Sequence, residues 1–335
     1  MCRSPASHGP GISGPSAFSA SLASPLLIIC GPTGSGKTEI AIEVAKAVDG
    51  EIVGCDALQV YRRFDIATAK PSDAQRAEVP HHLVDEVEPG ELFTLARYVR
   101  RAETVIAEIV DRKRQPIIVG GTGMYLRGLL RGIVDAPSRD EALRERLYGL
   151  RERYGAERLY RLLRCWDPES AGRLHAADGQ RTIRALELLL SEGPSWSRRL
   201  EQQGTWAAGA ERFPNAKFAL QFDSQRLARR LEERVDGFFA AGLLQEVEAI
   251  LADGIPESAS GFKAIGYREI LQCRQAGQDP RSALPTIQRN TRRYAKRQRT
   301  WFRSEPGVIW LDAERPAEVV AGEIVTHWTA NPHPP

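Results

Sequence analysis

Residues 29–38 read Ile29-Cys30-Gly31-Pro32-Thr33-Gly34-Ser35-Gly36-Lys37-Thr38. Gly31, Gly36, Lys37 and Thr38 satisfy the spacing G-x-x-x-x-G-K-[S/T], in which successive backbone amides converge on phosphate oxygens. Glycine is required because the chain must turn its N–H groups inward through conformations that side chains resist. The flanks agree with the loop. Leu26 to Cys30 is a continuous apolar run after Pro25, the pattern of a strand buried on both faces. After the loop, Ile40, Ala41, Val44, Ala45 and Val48 recur at helical spacing. A helix N-terminus beneath the loop adds partial positive charge for an anion. Gly31, Pro32, Thr33, Gly34, Ser35, Gly36, Lys37 and Thr38 are therefore assigned to a phosphate chain, with Lys37 as its full charge and the Thr38 hydroxyl as a ligand for Mg2+. The loop by itself does not say what the phosphates are attached to.

Working outward, further strand patterns fall at 52–56, 116–122, 213–222 and 308–311, and a helical period runs over 95–110 through Val99, Val105, Ile106 and Ile109. Strands alternating with helices predict an α/β fold, a P-loop NTPase-like parallel sheet core with right-handed crossovers. Residues 141–200 are rich in Arg, Glu and Leu and poor in β-branched residues, which predicts a small inserted helical subdomain. The expected organisation is a disordered leader over 1–24, a first core segment over 25–140, the helical insertion over 141–210, a second core segment over 211–320 and a C-terminal tail over 321–335. Leu227, Leu231, Val235, Phe238, Phe239, Leu243 and Val247 predict one long amphipathic helix over 227–251. The 335 residues are 42% hydrophobic, enough for a sizeable core, and the net charge of +3 selects no partner class. The five cysteines are scattered without a C-x-x-C pair, which argues against a zinc ribbon or a disulfide framework. No apolar run reaches the roughly 18 residues of a membrane span. The expectation is a soluble, cytoplasmic protein with no membrane partner, and structural roles for His81 and His82.

Asp56 ends a strand and reads two ways, as a Mg2+-binding carboxylate or as a general base beside the phosphates. Near the C-terminus, Arg289, Arg292, Arg293, Lys296 and Arg299 or Thr300 share one side of a predicted helix, while Tyr294 and Trp301 lie seven apart on another. No acidic residue interrupts the stripe, so its charges repel unless an anion screens them, and basic residues interleaved with aromatics suit RNA. Arg181 and Arg184 also share a face, though ion pairs to Glu187 or Glu192 explain them equally well. A small-molecule kinase, an RNA-binding protein with a vestigial loop and an RNA-modifying transferase all remain open at this point.

The motifs in combination resemble the tRNA dimethylallyltransferase family in its bacterial form. The matching segments are GPTGSGKT (31–38), DALQVYRRFDIATAKP (56–71), HHLVD (81–85), VGGTGMYL (119–126), DPESAGRLHAADGQRTIRALE (167–187), GLLQEVEAI (242–250), AIGYRE (264–269) and AKRQRTWFR (295–303). The resemblance implies that the loop holds dimethylallyl diphosphate rather than ATP. It implies a transferase that moves the dimethylallyl group to N6 of the adenosine 3′-adjacent to the anticodon in tRNA. Asp56 matches the family's base, Arg230 an arginine on the diphosphate, and Thr122 a threonine near the reacting adenosine. By matching position the tRNA path comprises Asp56, Ala57, Leu58, Gln59, Thr122 and Arg144, then Gln180, Arg181, Thr182, Ile183 and Arg184. It continues through Lys263, Ala264, Ile265, Gly266, Tyr267 and Arg268 to Lys296, Arg297, Gln298, Arg299, Thr300, Trp301, Phe302 and Arg303. Gln59 is suited to read an adenine edge through its amide. The partner implied is a tRNA anticodon stem-loop, bound by a monomer. A relative acting on free adenine nucleotides is the close alternative, and it has no use for a tRNA-contacting tail. Ala57 stands where the family usually has Ser, Ala67 where it has Gly, and Ala176-Ala177 where it has Pro-Asn.

Overall fold

The computed structural model describes residues 25–133, 140–193 and 211–330; the expectations for 1–24 and 331–335 lie outside these residues. In chain order the first core segment is β1 (Leu26–Cys30), α1 (Lys37–Ala47), β2 (Gly50–Gly54), α2 (Asp73–Glu78), β3 (His81–His82), α3 (Leu95–Asp111), β4 (Gln115–Gly120) and α4 (Gly123–Arg131). The helical segment is α5 (Glu141–Tyr154), α6 (Ala156–Trp166), α7 (Pro168–Gly172) and α8 (Gly179–Glu192). The second core segment adds β5 (Asn215–Gln221), α9 (Ser224–Ala240), α10 (Leu243–Ala252), α11 (Tyr267–Gln275), α12 (Leu284–Arg303), β6 (Val308–Asp312) and α13 (Ala317–Ala330).

All six strands run parallel in the order β3-β2-β4-β1-β5-β6. The fold is thus the expected α/β class. β1 is central and buried along its whole length, which is why its sequence reads as a continuous apolar run. In a parallel sheet the ligand sites form outside the carboxyl ends of the strands. Here those ends carry the glycine-rich loop after β1, Asp56 after β2 and Thr122 after β4.

Chain contacts divide the molecule into two compact units, residues 131–210 and the remainder. The helical unit has its own core of Leu147, Leu159, Leu163, Ala171, Ile183, Leu186 and Leu189.

Two expectations need correction. The long helix over 227–251 is two helices, because Gly242 takes φ 96 and ends the run between α9 and α10. Residues 321–330 are no tail. They belong to α13, whose Val320, Ala321 and Ile324 are buried with Ile40, Ala41 and Val44 of α1. His81 and His82 are structural: His82 Nε2 lies 2.6 Å from Glu51 Oε2, and His81 Nδ1 lies 2.7 Å from the Val79 carbonyl. Among the described residues, no His, Cys, Asp and Glu side chains cluster to hold a metal on their own, and no helix is long and apolar enough to cross a membrane.

Candidate active site

The loop after β1 reaches its shape through Gly31, Gly34 and Gly36, at φ 144, 79 and 78. A Cβ on Gly34 would stand 2.7 Å from Leu231 Cδ2, so α9 packs where a side chain would have to go. Lys37 Nζ donates to the carbonyls of Gly31 (3.1 Å) and Pro32 (2.8 Å), closing the loop on itself. Desolvation, reinforced by the charge of Arg234, lowers the Lys37 pKa to about 8, and Asp56 opposes the shift. Ser35 is buried, and its hydroxyl has no hydrogen-bond partner among the described residues.

Asp56 Oδ1 accepts from the amides of Leu58 (2.9 Å) and Gln59 (3.3 Å). Its other carboxylate oxygen takes no hydrogen bond from the described residues. The Thr122 amide donates to the Cys55 carbonyl (3.2 Å), and Thr122 Oγ1 accepts from the Ala57 amide (3.2 Å). The ends of β2 and β4 therefore pinch together around Asp56. Gly120 makes this possible, since a Cβ there would lie 2.1 Å from the Cys55 carbonyl oxygen.

Helix α9 brings Arg230 and Arg234 to the loop on one face. Arg230 Nη2 lies 3.9 Å from the position of a Cβ on Gly36, and its guanidinium sits over the Phe222 ring at 5.6 Å. Burial, then the neighbouring Arg230 charge, lowers the Arg234 pKa; Asp56 and Glu39 oppose this. The loop, Asp56, Gln59, Arg226, Arg229, Arg230, Arg234, Lys263, Arg268, Tyr294 and Arg297 line one cleft of about 1150 Å³. Such a surplus of cations suits a multiply charged anion.

Several expected site residues act as scaffold instead. Gln298 is buried: its Oε1 accepts from the Thr33 amide (2.8 Å) and its Nε2 donates to the Gly121 carbonyl (2.9 Å). It ties α12 to the phosphate loop and to the β4–α4 turn, so both ends of its amide are occupied by protein. Trp301 packs on Gly123, where a Cβ would lie 2.1 Å from the indole nitrogen, with Arg127 over its ring at 4.3 Å. Phe302 and Tyr267 are buried, as are Thr182 and Ile183 in the helical unit, while Ala264, also buried, lines the cleft. The physical reason is common to the others: each lies on the core-facing side of its helix or turn.

The basic stripe is also trimmed. Arg292 pairs with Glu232, and Arg299 Nη1 donates to Ser224 Oγ (2.6 Å). Arg289, Arg293, Lys296, Arg297, Thr300 and Arg303 remain exposed. In the helical unit, Arg144 and Arg184 both pair with buried Glu187, at 3.4 and 2.8 Å, while Tyr148 donates to Gln180 (2.7 Å). The Arg181 side chain, 68% exposed, is open to solvent.

Sequence reasoning left Tyr294 and Arg234 out of the site. The Tyr294 hydroxyl bonds the Thr122 hydroxyl, and burial raises its phenol pKa. The spacing of Tyr294 to Gln298, four residues, held the missing signal: Thr291, Ala295, Gln298 and Phe302 form the buried stripe of α12, and Tyr294 borders it.

A family model described as IPP transferase matches residues 59–305. A tRNA dimethylallyltransferase from Solibacter usitatus is 46% identical over 288 residues, covering 86% of this chain and 92% of the relative. The tRNA dimethylallyltransferase 1 of Trichlorobacter lovleyi is 43% identical over 286 residues, covering 85% and 93%. A solved tRNA isopentenylpyrophosphate transferase from Bacillus halodurans is similar at a TM-score of 0.69 and 32% identity, covering 92% of this chain and 97% of that one. A eukaryotic dimethylallyltransferase, solved acting on tRNA, gives a TM-score of 0.76 at 25% identity, covering 92% and 79%.

Proposed function

This chain belongs to the IPP transferase family, and from that premise we propose that it transfers the dimethylallyl group of dimethylallyl diphosphate to N6 of the adenosine 3′-adjacent to the anticodon in tRNA, releasing diphosphate. The observation that carries this reading is that the phosphate loop and Asp56 line one cation-rich cleft.

The residues divide the work as follows. The loop amides of Gly34, Gly36, Lys37 and Thr38, with the Lys37 side chain and Arg230, and Arg234 beside them, receive the diphosphate. As the allylic C–O bond breaks, its electron pair leaves with the diphosphate, and donors fixed in advance stabilise that charge without reorganising. The adenine amine is a weak nucleophile because its lone pair is delocalised into the ring. Asp56 takes an N6 proton as the new N–C bond forms. Thr122 is held by the Ala57 amide, next in the chain to Asp56, and is bonded to Tyr294. The donors near the loop are oxygens, including the unpartnered Ser35 hydroxyl, and they suit a hard divalent cation. Mg2+ would be held by Thr38 together with substrate oxygens, where it would offset leaving-group charge.

On the tRNA side, Leu58, Gln59, Lys263, Ala264, Ile265 and Arg268 wall the adenosine end of the cleft, next to Ala57, with Gly266 turning the chain there. Lys296, Arg297, Thr300 and Arg303 run along the RNA backbone, joined by Arg289 and Arg293. Gln180 and Arg181 supply contacts from the helical unit. Action as a monomer in the compartment where tRNA is found, the cytoplasm, is the simplest reading of this family membership.

The test is label transfer with Mg2+, labelled dimethylallyl diphosphate and unmodified tRNA, with AMP as a parallel acceptor and labelled ATP as a parallel donor. Label reaching tRNA is expected. Label reaching only AMP would replace this reading with a nucleotide-prenylating enzyme, and transfer from ATP alone with a kinase.

A further inference from the structure

One carboxylate behind the cleft joins two stretches of its wall. Residues 67–70 line the cleft, and so do residues 263–265 and Arg268. Glu246, in the first turn of α10, does not line it. Its Oε1 accepts from the amides of Asp65 (2.9 Å) and Ile66 (3.2 Å). Its Oε2 accepts from the Tyr267 hydroxyl (2.6 Å), and that hydroxyl accepts from the Ala67 amide (3.2 Å). Three consecutive amides therefore end on Glu246, two directly and one through a phenol. A carboxylate suits the place because it is an acceptor with lone pairs for several donors at once.

Packing follows the same line. The Phe64 ring stands edge-on to Phe262 and to Tyr267, each at 5.0 Å between centroids. A Cβ on Gly261 would lie 2.2 Å from Phe64 Cε2, and one on Gly266 would lie 2.7 Å from Ala67 Cβ. The docked segment is held in a conformation it does not prefer: Arg63 and Ala69 take φ 71 and 49, left-handed values that side chains resist. The phosphate loop is tied by other bonds, those of Lys37 to Gly31 and Pro32 and of Gln298 to Thr33.

We propose that Glu246 is a positioning residue for the reaction, whose carboxylate docks residues 64–70 onto α10 and α11 and so sets the spacing of the cleft walls on the tRNA side. The inference rests on the proposed function and deepens it. Without the carboxylate, the amides of Asp65 and Ile66 lose their acceptor and the left-handed residues relax. The walls then drift apart while the phosphate loop keeps its own ties, so loss of Glu246 separates tRNA turnover from diphosphate binding.

The test uses the full chain with Glu246→Ala and Tyr267→Phe, and reads amide hydrogen exchange, diphosphate binding and transfer to tRNA. Exchange over residues 64–70 should speed up in both variants while residues 31–38 keep the wild-type rate. Calorimetry should give a dimethylallyl diphosphate affinity within about twofold of wild type. The kcat/KM for tRNA should fall about tenfold or more in Glu246→Ala, since small misplacements made far from the chemistry cost rate on that scale. Tyr267→Phe keeps the ring and removes only the bridging hydroxyl; it should lower kcat/KM about threefold or more, and it carries the test alone if Glu246→Ala does not fold. Unchanged exchange over 64–70 would overturn the clamp, and wild-type kinetics in both variants would leave Glu246 a brace without a part in turnover. Equal losses of diphosphate affinity and tRNA turnover, with faster exchange over 31–38, would also overturn the proposal. A wild-type protein that transfers to no tRNA would instead sink the reading on which this rests, with the exchange rates still deciding the clamp.

Discussion

Lys37 keeps its proton in the ligand-free cleft only up to about pH 8, because desolvation and the Arg234 charge favour the neutral amine. A bound diphosphate favours the ammonium and raises that pKa, so above pH 8 binding must draw in a proton. Titration calorimetry of dimethylallyl diphosphate at pH 8.5, in two buffers of different ionisation enthalpy, should show uptake of a sizeable fraction of one proton. Lys37→Met should abolish the uptake, and equal heats in the two buffers would contradict the assignment. Asp56→Asn keeps an oxygen for the Leu58 and Gln59 amides but removes the base. Its kcat should fall about 10²–10⁴-fold while tRNA affinity changes little; a variant with normal turnover would exclude Asp56 as base. At this scale the position of Asp56 at the end of its strand was legible in the residues themselves, whereas Thr122 and Arg230 entered only through the family resemblance. Tyr294 was legible in neither way, because a tyrosine among arginines reads as part of a nucleic-acid surface.

Helix α12 shows how one element serves two ends. Its exposed side carries the basic residues, and its buried stripe positions the chemistry. Gln298→Ala would leave the Thr33 amide and the Gly121 carbonyl unpaired in a buried setting, a loss of about 1–3 kcal/mol for each such group. Chemical denaturation should register that loss, and the KM for dimethylallyl diphosphate should rise because the loop loses its tether. Unchanged stability and KM would mean that the clamp is dispensable. Gly123→Ala should be worse tolerated, since the new methyl meets a rigid indole rather than a flexible chain. The basic pattern predicted the helix and its exposed side. It concealed the inner stripe, in which the apolar Ile287 and Phe302 flank Thr291, Ala295 and Gln298.

Across the whole molecule, net charge is small, so RNA attraction depends on where unpaired cations lie. Arg289, Arg293 and Lys296 are exposed and without ion pairs among the described residues, whereas Arg292 is matched by Glu232. Replacing the first three with Ala should flatten the dependence of log K for tRNA on log salt by about two units, at roughly 0.7 per released counterion. Arg292→Ala should leave the slope nearly unchanged. Equal effects of the two variants would show that the stripe acts as a diffuse field rather than through its free charges.

The sequence by itself determined the parallel α/β class, the phosphate loop, the helical insertion and the carboxylate after β2. All of these are written in local patterns: an apolar run, a glycine-rich turn, a helical period. Tertiary structure decided which side chains of those elements face the cleft. Gln298 meets its partners 177 and 265 residues away, and Glu246 braces amides 180 and 181 residues away. Arg144 meets Glu187 43 residues away, and the apolar face of α13 finds its cover on α1. Hydrogen-bond and ion-pair partners so distant along the chain leave no trace in local periodicity, because it is folding that brings them within reach.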